Sequence, residues 1–272
     1  VRPGDIIHNT FSYHLTPAGM MVESGARAIG CTVVPAGTGQ TEQQIQAINH
    51  IRPNTYAGTP SFLKILLEKA LNAGADVSCL TKALVSGEAL PPDLRREFQD
   101  RGIQCLQAYA SADIGLIAYE SKAMDGLIVD ERLIVEIVRP GTGDPVPTGE
   151  IGEVVVTSLN RDYPLLRFAT GDLSSVMTGR SPCGRTGMRL SGWKGRADQA
   201  AKVRGMFVTP KQIAEVLRRN SEVIKARLVI EQRDGADVMT LQAEADMESS
   251  GGGERLARSL TETLQSICNL KG

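Results

Sequence analysis

Aromatic residues are scarce: Phe, Trp and Tyr make up 4% of the 272 residues, with a single tryptophan. A surface built for stacking nucleic-acid bases or sugar rings is therefore disfavoured. Charge of one sign is lacking as well. Thirty Lys and Arg stand against 31 Asp and Glu, for a net charge of -1. Nothing in that total favours nucleic acid or an anionic membrane as partner. No apolar run approaches the ~20 residues needed to span a bilayer. The three histidines, at positions 8, 14 and 50, could not make a metal cluster without several carboxylates, and no Cys-x-x-Cys or His-x-x-x-His spacing occurs. No zinc site is expected. A Gly-x-Ser-x-Gly elbow is also missing, which closes the serine-hydrolase route. The turn at Gly141-Thr142-Gly143 lacks the third glycine of a dinucleotide fingerprint and lies between β-like runs.

What is present is an ordinary globular balance, 42% hydrophobic and 22% charged, enough for two or three units. The five cysteines are scattered and odd in number, as in a cytoplasmic protein with reduced thiols. Val1 stands where an initiator methionine would be expected and the first residues do not resemble a signal peptide. The chain is thus expected to begin after processing or inside a longer protein.

The first 120 residues alternate short apolar runs with helical patterns. The sequence predicts a helix from Glu42 to Ile51, opened by Thr41 and ended by Arg52-Pro53, and a strand from Thr55 to Gly58. Thr59-Pro60 then reads as N-cap and first helical position. The helix behind it presents Phe62, Leu63, Leu66, Leu67, Ala70 and Leu71 on one face and stops at Gly74. Lys82–Ser86 and Ile103–Ala108 read as strands flanking a helix from Pro91 to Asp100. This repetition argues for an α/β unit, a mainly parallel sheet covered by helices.

From about Gly126 the pattern changes to short β-like runs: Leu127–Val129, Leu133–Val138, Val154–Thr157 and Leu165–Phe168. Punctuated by Gly and Pro, they predict a small, mostly antiparallel barrel or sandwich. A third composition begins near Gly195. It holds a helix from Thr209 to Arg219, strands Ala226–Glu231 and Val238–Ala245 around Arg233-Asp234-Gly235, a flexible Ser249–Gly253 stretch and a last helix. The division is residues 1–122 as the α/β part, 123–197 as a β-barrel subdomain and 198–272 as a partial α+β C-terminal domain.

Polar residues stand at the ends of the apolar strands. Ser86-Gly87-Glu88 ends one and Tyr109-Ala110-Ser111-Ala112-Asp113 the next. In open α/β sheets ligands gather at the carboxyl ends of strands, so the two loops could share a crevice. A glycine there admits a flat ring against the backbone, an aromatic supplies the opposite face, and a carboxylate could hold Mg²⁺ near phosphates. Asp172, after the Thr170-Gly171 turn, could accept both hydroxyls of a ribose. The segment from Gly195 to Gly205 brackets four charged residues between two glycines and suits a hinge.

In their order these pieces resemble the phenylacetate–CoA ligase family of AMP-forming adenylating enzymes. The resemblance runs over nearly the whole chain. Its carriers are Gly25–Pro35 (Gly-Ala-Arg-Ala-Ile-Gly-Cys-Thr-Val-Val-Pro), Thr59-Pro60-Ser61, Gly87-Glu88, Tyr109–Asp113, Gly149-Glu150-Ile151-Gly152-Glu153, Arg167–Asp172 and Gly195–Gly205. It implies that ATP activates a carboxylate, of an aryl acid such as phenylacetate, to an acyl-adenylate, and that coenzyme A then takes the acyl group as a thioester. By position Gly87, Glu88 and Tyr109 would line the adenine pocket, Asp172 would hold the ribose and Arg196 would reach ribose or phosphate. Asp113 would stand where the family's Glu binds Mg²⁺, Asp198 matches the hinge, and Tyr13, Thr59 and Pro60 would neighbour the acyl group. A homodimer is allowed; nucleic acid and membrane are not expected partners.

The chain departs from the family in three places. Ala112 lacks the hydroxyl expected near the α-phosphate, and Asp113 is one methylene shorter than Glu. Ser181-Pro182-Cys183-Gly184-Arg185 keeps one cysteine of a stretch that is cysteine-rich in many relatives. The family's phosphate loop is expected before residue 1 and its catalytic lysine beyond residue 272, so these residues alone are expected to bind adenosine without completing catalysis. The alternatives are a catalytically silent adenylate-binding homologue, a relative that adenylates a deazaflavin cofactor, and a nucleotide-independent scaffold.

Overall fold

The computed structural model describes residues 1–198, 201–203, 206–233, 236–245 and 253–268. Strand and helix alternate first: β1 (Ile6–Asn9), α1 (Ala18–Ala28), β2 (Thr32–Pro35), α2 (Thr41–Ile51), β3 (Thr55–Gly58), α3 (Pro60–Asn72), β4 (Lys82–Val85), α4 (Pro92–Asp100) and β5 (Gln104–Ser111). The five strands lie parallel in the order β2-β1-β3-β4-β5. Each crossover runs through a helix because parallel strands cannot be joined by a tight hairpin.

The α3 boundary follows from local chemistry. Thr59 is extended and its hydroxyl accepts the Phe62 N–H at 3.3 Å, while Pro60 at the first position needs no N–H partner. Leu63, Leu66, Leu67 and Ala70 then point into one core with Ile48 of α2, Phe98 of α4, and Tyr56 and Val85 of the sheet. Leu71 departs from the predicted face: it is 68% exposed, because it lies one residue past Ala70 and the stripe ends there. On the opposite face α1 packs Ala26 and Val22 against Ile7, Val33 and Ala57.

The chain continues with β6 (Gly115–Glu120), β7 (Leu127–Val129), β8 (Leu133–Val138), β9 (Gly152–Ser158), β10 (Leu165–Ser174), β11 (Arg189–Leu190) and β12 (Gly195–Arg196). Strands β6, β7 and β11 extend the parallel sheet antiparallel beyond β5, making eight strands. The others form a four-stranded antiparallel sheet in the order β12-β10-β9-β8. The two sheets share one core, in which Ile117 and Val129 meet Val135, Ile137, Val154 and Val156. Leu127–Val129, read from sequence as part of the small β unit, is hydrogen-bonded into the large sheet. Three apolar residues suit either side of such a core, and only the pairing decides.

The last part holds β13 (Ala201–Val203), β14 (Met206–Val208), α5 (Pro210–Arg219), β15 (Val223–Arg233), β16 (Ala236–Ala245) and α6 (Gly253–Cys268). Thr209 opens α5 with a capping box to Gln212. Val216 of α5 and Leu256, Leu260 and Leu264 of α6 pack with Leu228 and Leu241 of the β15–β16 hairpin. Residue 253 starts α6 instead of ending a loop. Asp234-Gly235, the 249–252 stretch, Gln199, Gly205 and the segment 269–272 lie outside the described residues. Among the described residues no helix is long and apolar enough to cross a membrane.

Candidate functional site

Two sheets meet at Asp172. The register of β10 against β12 sets Asp172 opposite Arg196. Gly171, at φ +73, lets β10 bulge there, and a Cβ at that position would run into the Arg196 guanidinium. From the other sheet, Tyr109 reaches across. Its Oη lies 2.9 Å from Asp172 Oδ2 and 3.2 Å from Thr170 Oγ1. The Thr170 proton already goes to Val154 O at 2.8 Å, so the phenol's single proton goes to the carboxylate. Burial pushes the Tyr109 hydroxyl up, and the Asp172 charge adds to it. The phenol is thus a neutral donor.

Asp172 Oδ1 accepts from Trp193 Nε1 at 3.0 Å and, at 3.4 Å, from Arg196 Nη1. Arg196 also donates to Thr170 O (3.1 Å) and, through Nε, to Asp198 Oδ1 (3.2 Å). The two carboxylates, Asp198 foremost, raise the guanidinium's pKa, so it carries its charge throughout. Tyr109, Asp172, Arg196 and Asp198, chosen separately from the sequence, are therefore joined by hydrogen bonds.

A larger cavity of about 1290 Å³ opens on the α1 face of the parallel sheet. Met21 and Val22 of α1, Thr59, Gly87, Ala110 and Leu133 are among its walls. Ala108 and Ala110 face it, and Tyr109 between them faces Asp172, as alternation along β5 requires. The strand thus separates a wide apolar space from a compact polar cluster.

The remaining predicted residues are distributed around these two features. Gly87, at φ +80, lines the cavity with Thr59. Glu88 turns to the N-terminus of α3, where its carboxylate accepts from Ser61 Oγ (2.9 Å) and Ser61 N–H (3.4 Å). Negative charge is favoured at that helix end. Pro60 is buried beneath the same cap. Tyr13 is pinned to α1: its ring covers Gly19, its Oη accepts from Asn9 Nδ2 (2.7 Å) and donates to Glu23 Oε2 (2.8 Å). Burial and that contact push the Tyr13 hydroxyl up to about 12. Tyr13 and Pro60 are not among the cavity's walls.

Asp113 is exposed in the turn between β5 and β6. No three His, Cys, Asp or Glu side chains group together among the described residues. A magnesium ion asks less, because it is commonly held by one or two carboxylates with water and substrate phosphates. Asp113, between the cavity-lining Ala112 and Ile114, fits that mode. His8 is wholly buried and hydrogen-bonded to Gln44 at 2.8 Å, whose amide ties down Gly37 O and Gly39 O.

Sequence reasoning passed over Trp193 and Thr170. Thr170 belongs to the turn that precedes Asp172 in the sequence. Trp193 carried one signal, being the only tryptophan and lying between Gly192 and Gly195.

The sequence profile described as AMP-binding enzyme matches residues 1–160. Phenylacetate-coenzyme A ligase of Thermus thermophilus is 31% identical over 242 residues, covering 86% of this chain and 54% of that protein. The protein of the same name from Aromatoleum evansii is 29% identical over 280 residues, covering 98% of this chain and 63% of its own length. The chain thus spans 54% and 63% of these two curated relatives. Among solved structures, an open conformation of 2-hydroxyisobutyryl-CoA ligase, in complex with 2-HIB-AMP and CoA, has the same fold. The TM-score is 0.87 at 23% identity, over 100% of this chain and 63% of that one.

Proposed function

The chain belongs to the AMP-binding enzyme family, and we propose that the whole protein is an ATP-dependent, AMP-forming carboxylate–CoA ligase acting on phenylacetate or a related aryl acid. The observation that carries this reading is the Asp172 carboxylate, held by Tyr109 and Trp193, a geometry that supports acceptance of a vicinal diol. The curated relatives add the chemistry, since phenylacetate-coenzyme A ligases match most of the chain. The wide apolar cavity beside β5 suits an aromatic acyl group.

In this reading Asp172 holds the ribose hydroxyls while Gly87 and Tyr109 border the adenine. A carboxylate oxygen of the acid attacks the α-phosphorus of ATP and pyrophosphate leaves. The thiol of coenzyme A then attacks the acyl carbon and AMP leaves. Arg196, permanently charged and anchored by Asp198, supplies a donor for negative charge on the phosphate. Magnesium, held by Asp113 and the nucleotide's own phosphates, would offset the charge on those phosphates. A cytoplasmic location goes with this reading, where ATP and coenzyme A are found and where five free thiols stay reduced.

One observation favours a second reading, adenylate binding without turnover: Ala112 offers no hydroxyl at the loop's end. ATP–pyrophosphate exchange with a panel of aryl carboxylic acids, measured on the protein as its gene encodes it, separates the two. Acid-dependent exchange supports the ligase. Adenylate binding without exchange supports the silent homologue, and neither would end the adenylate reading. Size-exclusion chromatography of the same sample tests the homodimer.

A further inference from the structure

We infer that Trp193 is a positioning residue, whose indole N–H sets the Asp172 carboxylate for a vicinal diol. The inference rests on the adenylate reading above and names a determinant of that site. A carboxylate offers roughly four lone-pair directions, two on each oxygen. Oδ2 takes the Tyr109 proton at 2.9 Å and Oδ1 takes the Trp193 N–H at 3.0 Å. The donors sit on rigid rings and hold the two oxygens separately, so the carboxylate plane cannot turn without losing one of them. Among the described residues one direction stays open on Oδ2, and the other direction on Oδ1 is engaged only by the 3.4 Å contact of Arg196, the longest of the three. A diol donates two protons, one to each oxygen. It therefore adds to the Tyr109 and Trp193 bonds and displaces only the Arg196 contact.

The indole is itself held in place. Gly192, at φ +91, turns the chain, and its carbonyl accepts from Ser174 Oγ at 2.8 Å. On the other side Lys194 N–H donates to Leu173 O at 2.8 Å. Both bonds fasten the backbone of Trp193 to β10, the strand that carries Asp172. Core packing does not account for the ring, which is 43% exposed. An indole N–H is a donor only and does not titrate, so the direction of its bond to Asp172 is fixed.

The test compares adenosine with 2′,3′-dideoxyadenosine on the unsubstituted chain and on Trp193→Phe, which keeps an aromatic ring and removes the N–H. Calorimetric titration should show Trp193→Phe binding adenosine about tenfold more weakly, the scale of one hydrogen bond to a charged group. The dideoxynucleoside should change less than ~2-fold, since it makes no diol contact. Unchanged adenosine affinity overturns the proposal, and so does an equal loss for both nucleosides, which is what a merely structural role produces. The unsubstituted chain gives a second readout that needs no variant. Its single tryptophan should shift its emission more with adenosine than with the dideoxynucleoside at equal occupancy, and equal shifts contradict the assignment. Failure of the unsubstituted chain to bind adenosine at all strikes the adenylate reading instead, and Trp193's role falls with it.

Discussion

Tyr109 donates its phenolic proton to Asp172 across 63 residues of chain, at 2.9 Å. The bond joins the eight-stranded sheet to the antiparallel one at the edge of their shared core. Neither unit could present this cluster alone. Tyr109 fixes one carboxylate oxygen, Trp193 the other, and Arg196 links the group to Asp198. Arg196 is bonded at once to Asp172 and to Asp198, in the segment proposed as a hinge.

Gly171→Ala tests the bulge beneath this arrangement. An alanine must adopt φ near +73 and its Cβ must push the Arg196 guanidinium aside. We expect a loss of ~1–2 kcal/mol in urea unfolding and weaker adenosine binding. Wild-type stability would mean that the glycine is not required there.

Asp5 predicts a pH dependence of folding. Lys82 Nζ lies 2.8 and 2.9 Å from its two oxygens, and with Asn54 this holds the carboxyl down at about 2, against the usual 3.8. The unfolded chain binds this proton more readily, so the contribution is fully present above pH ~4 and is lost as pH falls towards 2. The urea midpoint should drop over that window, and Asp5→Asn should flatten the drop. An unchanged slope in the variant would show that the pair does not carry it.

Much of the parallel half was legible in the sequence because its signals are local. Thr55–Gly58 and the Thr59-Pro60 start of α3 need nothing beyond caps, proline and apolar spacing. The misses are tertiary. β10 was legible only to Phe168, yet it runs to Ser174, because its pairing with β9 shifts register between Ala169 and Leu173 and keeps Thr170-Gly171 inside a strand. The hydrogen bond from Ser61 to the Glu88 carboxylate, 27 residues away, is a contact that no local pattern records. Trp193 escaped because its partner depends on β10 and β12 lying side by side. Asp172 was singled out because a carboxylate after a glycine turn is a chemical pattern as well as a structural one.

Cys183 should be the most reactive thiol. It is exposed, and hydrogen bonds, first from Ser181 at 3.1 Å, bring it down to about 7 from 9.0. Cys105 is buried and pushed up to about 12. Iodoacetamide labelling read by peptide mass should modify Cys183 first, with a midpoint near pH 7, and Ser181→Ala should move that midpoint upward. Equal labelling rates for Cys183 and Cys105 would contradict this.

Asp198 is the proposed hinge. Its side chain is 67% exposed and its partner there is Arg196. Proline at this position fixes φ and removes a backbone donor. In the protein as its gene encodes it, Asp198→Pro should impair adenylation and thioester formation unequally, read by pyrophosphate exchange and by thioester yield from supplied acyl-adenylate. Parallel loss of both would count against a hinge.

Asp172 is proposed to hold the ribose of an adenylate. Calorimetric titration of this chain with a non-hydrolysable acyl-adenylate analogue tests it most directly, with Asp172→Ala measured beside it. The expected result is saturable binding that the variant weakens by ~1.5–3 kcal/mol, the range for a hydrogen bond to a charged group. Equal affinity in the two proteins, with the variant folded, would remove Asp172 from the site and contradict the account.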